Sequence, residues 1–415
     1  MAAATPTTHD AIIKHLYPDP NDVMVAMYEN NTLFSMLKKS FDGYGKSWHM
    51  PVRIAHTAGR SHLFNKAKAN KVASNVVEYQ ISITDNYSLY SVDGRLQRQT
   101  SNSKGAFVEA FEFELDSAMD AMKRNFGYEP YLNGGGSIGR FTAGVTLSGT
   151  SFTLNNINDI VKFEKNQPLV LSTADGTSGS VKPGKMYVLS VDRDAGTVTV
   201  TNTPGGTATA INDASMIPTA AASDFIFTEG DFGIAIKGFE AWVPSTAPVG
   251  GDNFFGLDRS QDAVRLAGSR ADLRTLGPEE QIQKMCQVSI RNGGKLSHIF
   301  ENDLDFLALI LSLGSRRIVV NTEVDGKVGF EGVKVATGAG TVEVYSDYNN
   351  TQGVAWGVDL DKWELKGPGQ FPFIDARDGT KLLREDSADA YEGRIIAYYQ
   401  MISKKVAGSV RGRLT

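Results

Sequence analysis

The stretch YLNGGGSIGRF, residues 131–141, sets Gly134, Gly136 and Gly139 at the G-x-G-x-x-G spacing of dinucleotide-binding loops. That chemistry needs a strand before the glycines and a helix after them, because the free N–H groups of the helix N-terminus meet the pyrophosphate. The flanks read in the reverse order. Upstream, Phe107, Ala110, Phe111, Ala118, Met119, Met122 and Phe126 recur mostly at three- and four-residue steps, the stripe of a long amphipathic helix. Ser101 or Ser103 is placed to cap it and Gly127 to stop it. Downstream, RFTAGVTLSGTSFTL is rich in Thr, Val and Phe and reads as extended chain with turns. Asp159 falls twenty residues after Gly139, at the distance of a ribose-binding acid, but no βαβ unit carries it to a strand end. A nucleotide-binding enzyme using Gly134–Gly139 is therefore the weaker reading. Gly134, Gly135 and Gly136 are expected to form a hinge, where glycine supplies backbone angles that other residues avoid.

Other candidate groups fail on spacing. Of the six histidines, His49, His56 and His62 stand seven and six residues apart, which is not a metal-ligand spacing, and the odd step puts His49 and His56 on opposite faces of any one strand. VDRDAGTVTV starts like a calcium loop at Asp192 and Asp194, but its glycine comes one position early and no glutamate closes it, so a turn at Ala195-Gly196 is expected. Cys286 shares a helical face with Ile282 and Met285 and reads as a buried thiol. No nucleophile elbow, phosphate loop or zinc signature is present. The reading is of a non-enzyme with no catalytic residue, cofactor or metal. The sharpest local charge is Arg60, Lys66, Lys68 and Lys71, which suits a segment docking on an acidic neighbour.

At 415 residues the chain is long for a single core, and 41% hydrophobic with 21% charged residues is ordinary for a globular protein. A net charge of −5 gives no overall drive toward DNA phosphates or anionic membranes. One cysteine excludes an intramolecular disulfide framework. The start MAAATPTTHDAIIKH lacks a basic and apolar leader, and no stretch reaches the length of a membrane span, so cytoplasmic synthesis is expected.

The elements that must position these residues read as α+β, because helices and strands are mixed without regular βαβ alternation. Val23, Met27, Leu33, Met36 and Leu37 suggest short helices in an arm over 1–48, too short to stand without a surface to pack on. SWHMPVRIAH and VVEYQISITDNYSLYSV read as two strands of a long hairpin over 49–92, with Val77, Tyr79, Ile81 and Ile83 on one face and the basic segment at the tip. An isolated hairpin is marginal in water, so arm and hairpin are expected to rest on something else, such as another copy of the chain. Residues 142–225 are rich in Gly, Thr, Ser and Asp with short β runs, and read as an inserted all-β subdomain. Pro278, Glu279 and Glu280 open a further helix that Gly293 closes, and Leu304, Leu307, Ala308 and Leu311 mark one face of another, with Arg316 and Arg317 beyond it.

In this order the parts resemble the major capsid proteins of tailed phages, of the Hong Kong 97-type fold. GRSHLFNKAKAN to YSLYSVDGRL resembles the E-loop hairpin and its return. KGAFVEAFEFELDSAMDAMKRNFGYEPYLNGGGSIGR resembles the spine helix with its glycine-rich exit, IKGFEAWVPS through RNGGKLSHIFENDLDFLALI resembles the approach to the axial A-domain and its helices, and AYEGRIIAYYQM resembles the last peripheral strand. The resemblance implies an arm (1–48), an E-loop (49–92), a peripheral-domain spine and hinge (93–141), the insert (142–225), a peripheral return (226–261), an A-domain (262–375) and peripheral C-terminal strands (376–415). It further implies self-assembly into hexamers and pentamers of an icosahedral virion shell around double-stranded DNA. Arg60, Lys66, Lys68 and Lys71 would then lie at inter-subunit contacts. A separate scaffolding protein, a portal and a decoration protein are implied partners, with no membrane. An encapsulin-like compartment shares the fold and is the alternative.

Overall fold

The computed structural model describes residues 31–93, 104–314, 318–324, 328–338, 340–375, 383–385 and 389–414. Val23, Met27, Ser101, Ser103, Arg316 and Arg317 lie outside the described residues. The first described elements are helix α1 (Thr32–Met36), strands β1 (Lys38–Ser40) and β2 (Ser47–Ala55), helix α2 (Phe64–Ala69), strands β3 (Asn75–Ser82) and β4 (Thr84–Asp93), and the long helix α3 (Lys104–Tyr128). Next come β5 (Ser137–Arg140), β6 (Ser151–Thr153), β7 (Pro168–Ser172), β8 (Met186–Asp192), β9 (Thr197–Thr201), β10 (Phe225–Thr228) and α4 (Phe239–Trp242). They are followed by β11 (Asn253–Phe254), β12 (Leu257–Asp258), α5 (Ala263–Ala267), β13 (Ser269–Asp272), α6 (Pro278–Arg291), β14 (His298–Glu301) and α7 (Asp303–Leu313). The last are β15 (Ile318–Val324), β16 (Val328–Thr337), β17 (Gly340–Ser346), β18 (Val354–Val358), β19 (Trp363–Lys366), β20 (Phe373–Ile374), β21 (Leu383–Arg384), β22 (Ala390–Ser403) and β23 (Val410–Arg413). Two compact units result: one from the described parts of 1–127, 243–349 and 353–415, the other from 128–242 with 350–352.

In the first unit the fourteen-residue β22 organises a six-stranded sheet, pairing with β19, β20, β21 and β4, while β1 extends it through β19. Ile395, Ile396, Ala397, Tyr399, Met401 and Ile402 of β22 are all buried, a near-continuous apolar run of the kind that needs cover on both faces. Part of that cover is α3. Its Ala118, Met119, Met122 and Phe126 are buried as the spacing predicts, with Leu115 beside them, while the side chains of Phe107, Ala110 and Phe111 lie outside the described residues. Phe126 meets Tyr399 edge-on at 5.2 Å and stacks on Phe34 of α1 at 4.7 Å. The Ser88 hydroxyl donates to the Ala118 carbonyl at 2.9 Å, tying β4 to the helix.

Sequence reading takes the second hairpin strand as continuous to Val92. The chain instead switches partner after Ser82: β3 pairs β2, and β4 pairs β22 from Thr84 opposite Tyr399 to Asp93 opposite Ala390. The polar run Thr84-Asp85-Asn86 marks the switch, and the buried face moves from Tyr79 and Ile81 in β3 to Tyr90 and Val92 in β4.

This unit also holds a seven-stranded sheet, in the order β13-β23-β18-β14-β17-β16-β15. Helices α6 and α7 close one core on it, with Ile282, Met285, Cys286, Leu309 and Leu313 against Val333, Val335, Val342 and Val344. Pro278 opens α6 and the Glu280 carboxylate accepts from the Gly277 N–H at 3.3 Å, as a capping residue should. The expected apolar face of α7 requires correction. Leu304, Leu307, Ala308 and Leu311 are exposed, and the helix buries Leu309 and Leu313 instead, with Phe306 and Ile310 packed beside them. A helix that is apolar nearly all round offers two stripes, and spacing alone does not choose between them. The closing strands, read as a single peripheral group, also part company: β22 stays in its own sheet while β23 runs between β13 and β18.

The second unit is a six-stranded sheet, β5-β10-β7-β8-β9-β6, around Ile138, Phe141, Phe163, Leu169, Leu171, Val188, Val198 and Ile226. It is wider than the expected insert over 142–225. Its strand β5 precedes the Gly/Thr-rich texture and β10 spans the end of it, so composition marks the interior of the unit and misses its border.

Candidate functional site

Strands β2 and β3 pair from Ser47 opposite Ser82 to Ala55 opposite Asn75 and form the hairpin that carries the basic segment. Its base is anchored. Trp48 and Ile81 are buried, and the Lys366 ammonium lies 5.7 Å from the Trp48 ring. The Tyr79 hydroxyl donates to the Leu266 carbonyl at 2.8 Å, its ring meets Phe254 edge-on at 6.2 Å, and the Gln80 N–H donates to the Phe255 carbonyl at 2.8 Å. Burial pushes the Tyr79 hydroxyl well above the usual tyrosine range.

The outer half is different in kind. Helix α2, within the basic segment at the tip, buries no residue. At six residues it is too short to hold by propensity alone. Leu63 is 62% and Phe64 84% exposed, and Val72 and Val76 are exposed as well. Arg60, Lys66, Lys68 and Lys71 surround them and are exposed. Apolar and cationic side chains thus share one projecting tip, with no surface of the described chain against it. Fully burying one such apolar side chain is worth about 1.5–3 kcal/mol.

The remaining sequence candidates are held in local structure. His49 Nδ1 lies 3.2 Å from Glu78 Oε1 across the hairpin, and His56 and His62 are exposed at separate points of it. Asp192 accepts from the Asp194 and Ala195 N–H groups at 3.1 and 2.9 Å and closes the turn between β8 and β9, where Gly196 has φ +62°. Cys286 is buried on the inner face of α6, and burial pushes its thiol up. Asp159 pairs with Lys162 at 2.6 Å. Among the described residues no group of three or more His, Cys, Asp or Glu side chains is placed to hold a metal ion.

Gly134, Gly135 and Gly136 follow a helical turn and lead into β5, so the order at the glycines is helix then strand. Their packing is tight. Gly134 and Gly136 have φ of +79° and +82°, and a Cβ on Gly135 or Gly136 would fall 2.0 Å from the Asp175 carbonyl or 2.1 Å from that of Asp231. Asn133 braces the turn, accepting from the Gly135 N–H at 2.9 Å and donating to Asp175 at 2.8 Å.

The described residues thus hold an anchored hairpin with a bare tip, the long helix α3, the six-stranded sheet of the second unit, and a seven-stranded sheet with two covering helices. The fold is α+β. Solved structures align with most of the chain at low identity. The capsid of cyanophage A-1(L) is 11% identical over 93% of this chain and 92% of its own, with a TM-score of 0.49. The holo encapsulin complex from Synechococcus elongatus PCC 7942 is 7% identical over 100% and 96%, with a TM-score of 0.45. A structure from Mycobacterium phage Ogopogo is 8% identical over 93% and 92%, with a TM-score of 0.42. No protein-family model matches the chain, and no curated protein matches it in sequence.

Proposed function

We propose that this chain is the major capsid protein of a tailed bacteriophage, a structural subunit that assembles as hexamers and pentamers into the icosahedral head around double-stranded DNA. The observation that carries the reading is the hairpin: locked at its base, it projects an apolar and basic tip that its own chain leaves uncovered. A contact between two different surfaces of identical subunits closes into rings when the rotation allows, and rings joined through such arms build a shell. In this reading the seven-stranded sheet and its helices form the axial domain, the β22 sheet and α3 form the rim, and Arg60, Lys66, Lys68 and Lys71 engage the neighbouring subunit. Gly134, Gly135 and Gly136 set the sharp exit from the spine into the insert. A net charge of −5 suits a wall that encloses DNA without gripping it. A scaffolding protein, a portal and decoration proteins are the further partners, and the assembled virion is the destination.

Sedimentation velocity on the chain, co-expressed with its neighbouring genes, tests this directly. A sharp megadalton species is expected, and Phe64→Ser should reduce it while the subunit stays folded. A discrete monomer or dimer would overturn the shell. Nuclease-protected DNA inside particles made during infection separates a virion from a protein-filled compartment.

A further inference from the structure

Cations also gather at the base of the hairpin. A cavity of about 420 Å³ opens there, lined by Arg53 of β2, His56 just beyond it, Arg265 of α5, and Ser403, Lys404 and Lys405 where the chain leaves β22. Part of the charge is already engaged. Arg265 donates to the Ile54 carbonyl and lies 3.5 Å from Asp262. Lys404 Nζ is 2.6 Å from Glu364, and Lys405 Nζ donates to the Gly293 carbonyl at 2.7 Å, neutralising the C-terminal end of α6. The Arg53 and His56 side chains are exposed and pair with no described residue. Four permanent cations therefore face two paired carboxylates, Asp262 and Glu364, an excess of two before His56 is counted. Ser403 is 1% exposed, and its hydroxyl has no hydrogen-bond partner. A buried hydroxyl in that state carries an unrelieved desolvation penalty.

We infer that this cavity is an anion site for a free phosphate group, orthophosphate or pyrophosphate. A dianion matches the excess charge, which a single carboxylate would half satisfy. The forked guanidinium of Arg53 suits two oxygens of one phosphate, and a further oxygen is left for the serine hydroxyl. The volume lies in the ordinary range of small-ligand sites, about 300–1,000 Å³, so pyrophosphate fits as well as orthophosphate. An anion held there would tie β2 to α5 and to the turn after β22, and so fix the angle at which the hairpin leaves its base.

The inference stands apart from the shell reading, because the cavity belongs to one subunit and can be titrated on whatever oligomer the chain forms. The test is titration of the full chain with sodium phosphate and with pyrophosphate, against sodium chloride at matched ionic strength. It is read by the thermal midpoint and by amide hydrogen exchange over 47–55 and 403–407. Both phosphates should raise the midpoint and slow exchange in both segments. Arg53→Gln and, separately, Ser403→Ala should weaken the apparent affinity about tenfold or more, which corresponds to one lost charge-assisted contact. Arg53 is exposed and unpaired, so its variant should melt like the parent without phosphate. Three outcomes would each overturn the assignment: no phosphate response beyond that of chloride, equal responses in parent and both variants, or protection by a DNA duplex with none by free phosphate.

Discussion

Glu301 closes β14 at 3% exposure, with the charge of Asp305 nearby. Burial first, and that neighbour second, push its carboxyl up to about 8. The folded chain therefore keeps a proton that the unfolded chain releases at the ordinary value of 4.5. Stability from this group is fully present below the unfolded value, falls as pH rises, and levels off above about 8. Glu301→Gln keeps the shape and removes the titration. Its thermal midpoint should match the parent near pH 4 and exceed it increasingly toward about pH 9; parallel curves for the two proteins would remove the buried proton. At Gly135 the argument is steric. A Cβ would sit 2.0 Å from the Asp175 carbonyl oxygen, so Gly135→Ala should destabilise the second unit by about 1–3 kcal/mol in denaturant unfolding. Gly250→Ala is the control, since a Cβ there meets nothing within 4 Å and the change should stay within about 0.5 kcal/mol.

Among the elements, those with one strong periodic face are legible from the sequence alone. The stripe of α3 from Ala118 to Phe126, the capped start of α6 and the alternation of β3 all stand where spacing puts them. The illegible cases share a cause: the sequence records how apolar a position is and not which surface covers it. Both β3 and β4 read as strand, but the change of partner between them moves the buried face from Tyr79 and Ile81 to Tyr90 and Val92, and α2 is a helix without a buried side chain. The basic tip was visible as a charge cluster, whereas the cavity at the hairpin base was not, because Arg53, Arg265 and Lys404 are far apart in sequence and meet only through the fold. Helix α7 gives the sharpest check. Leu309→Ala should cost about 2–5 kcal/mol of subunit stability, as a buried leucine does. Leu307→Gln and Leu311→Gln, on the face that is 50% and 72% exposed, should stay within about 0.5 kcal/mol. Equal losses at all three would restore the face that spacing suggests.

For the whole molecule, the division into two units has a physical consequence in how the chain can be cut. The unit over 128–242 has its own apolar centre, and the two ends of that segment meet: Tyr131 and Phe239 lie edge-on at 6.0 Å, and Gly238 packs so closely on Pro130 that a Cβ would fall 2.4 Å from its carbonyl oxygen. Adjacent termini and a private core mark a domain inserted into a host. Its length falls within the mode of single domains, about 100–150 residues, where one core suffices for independent folding. The fragment 128–242 expressed alone should therefore unfold in a single cooperative transition, and Gly135→Ala should lower its stability by as much as it lowers that of the same unit in the full chain. The reciprocal chain, with 132–238 replaced by a short Gly/Ser linker, keeps α3, both large sheets of the first unit and the hairpin, and so every surface the shell reading uses. It should still give the megadalton species in sedimentation. Failure of the fragment to fold would make the second unit dependent on its host; loss of the particle in the shortened chain, with the subunit still folded, would make the insert part of the assembly contact.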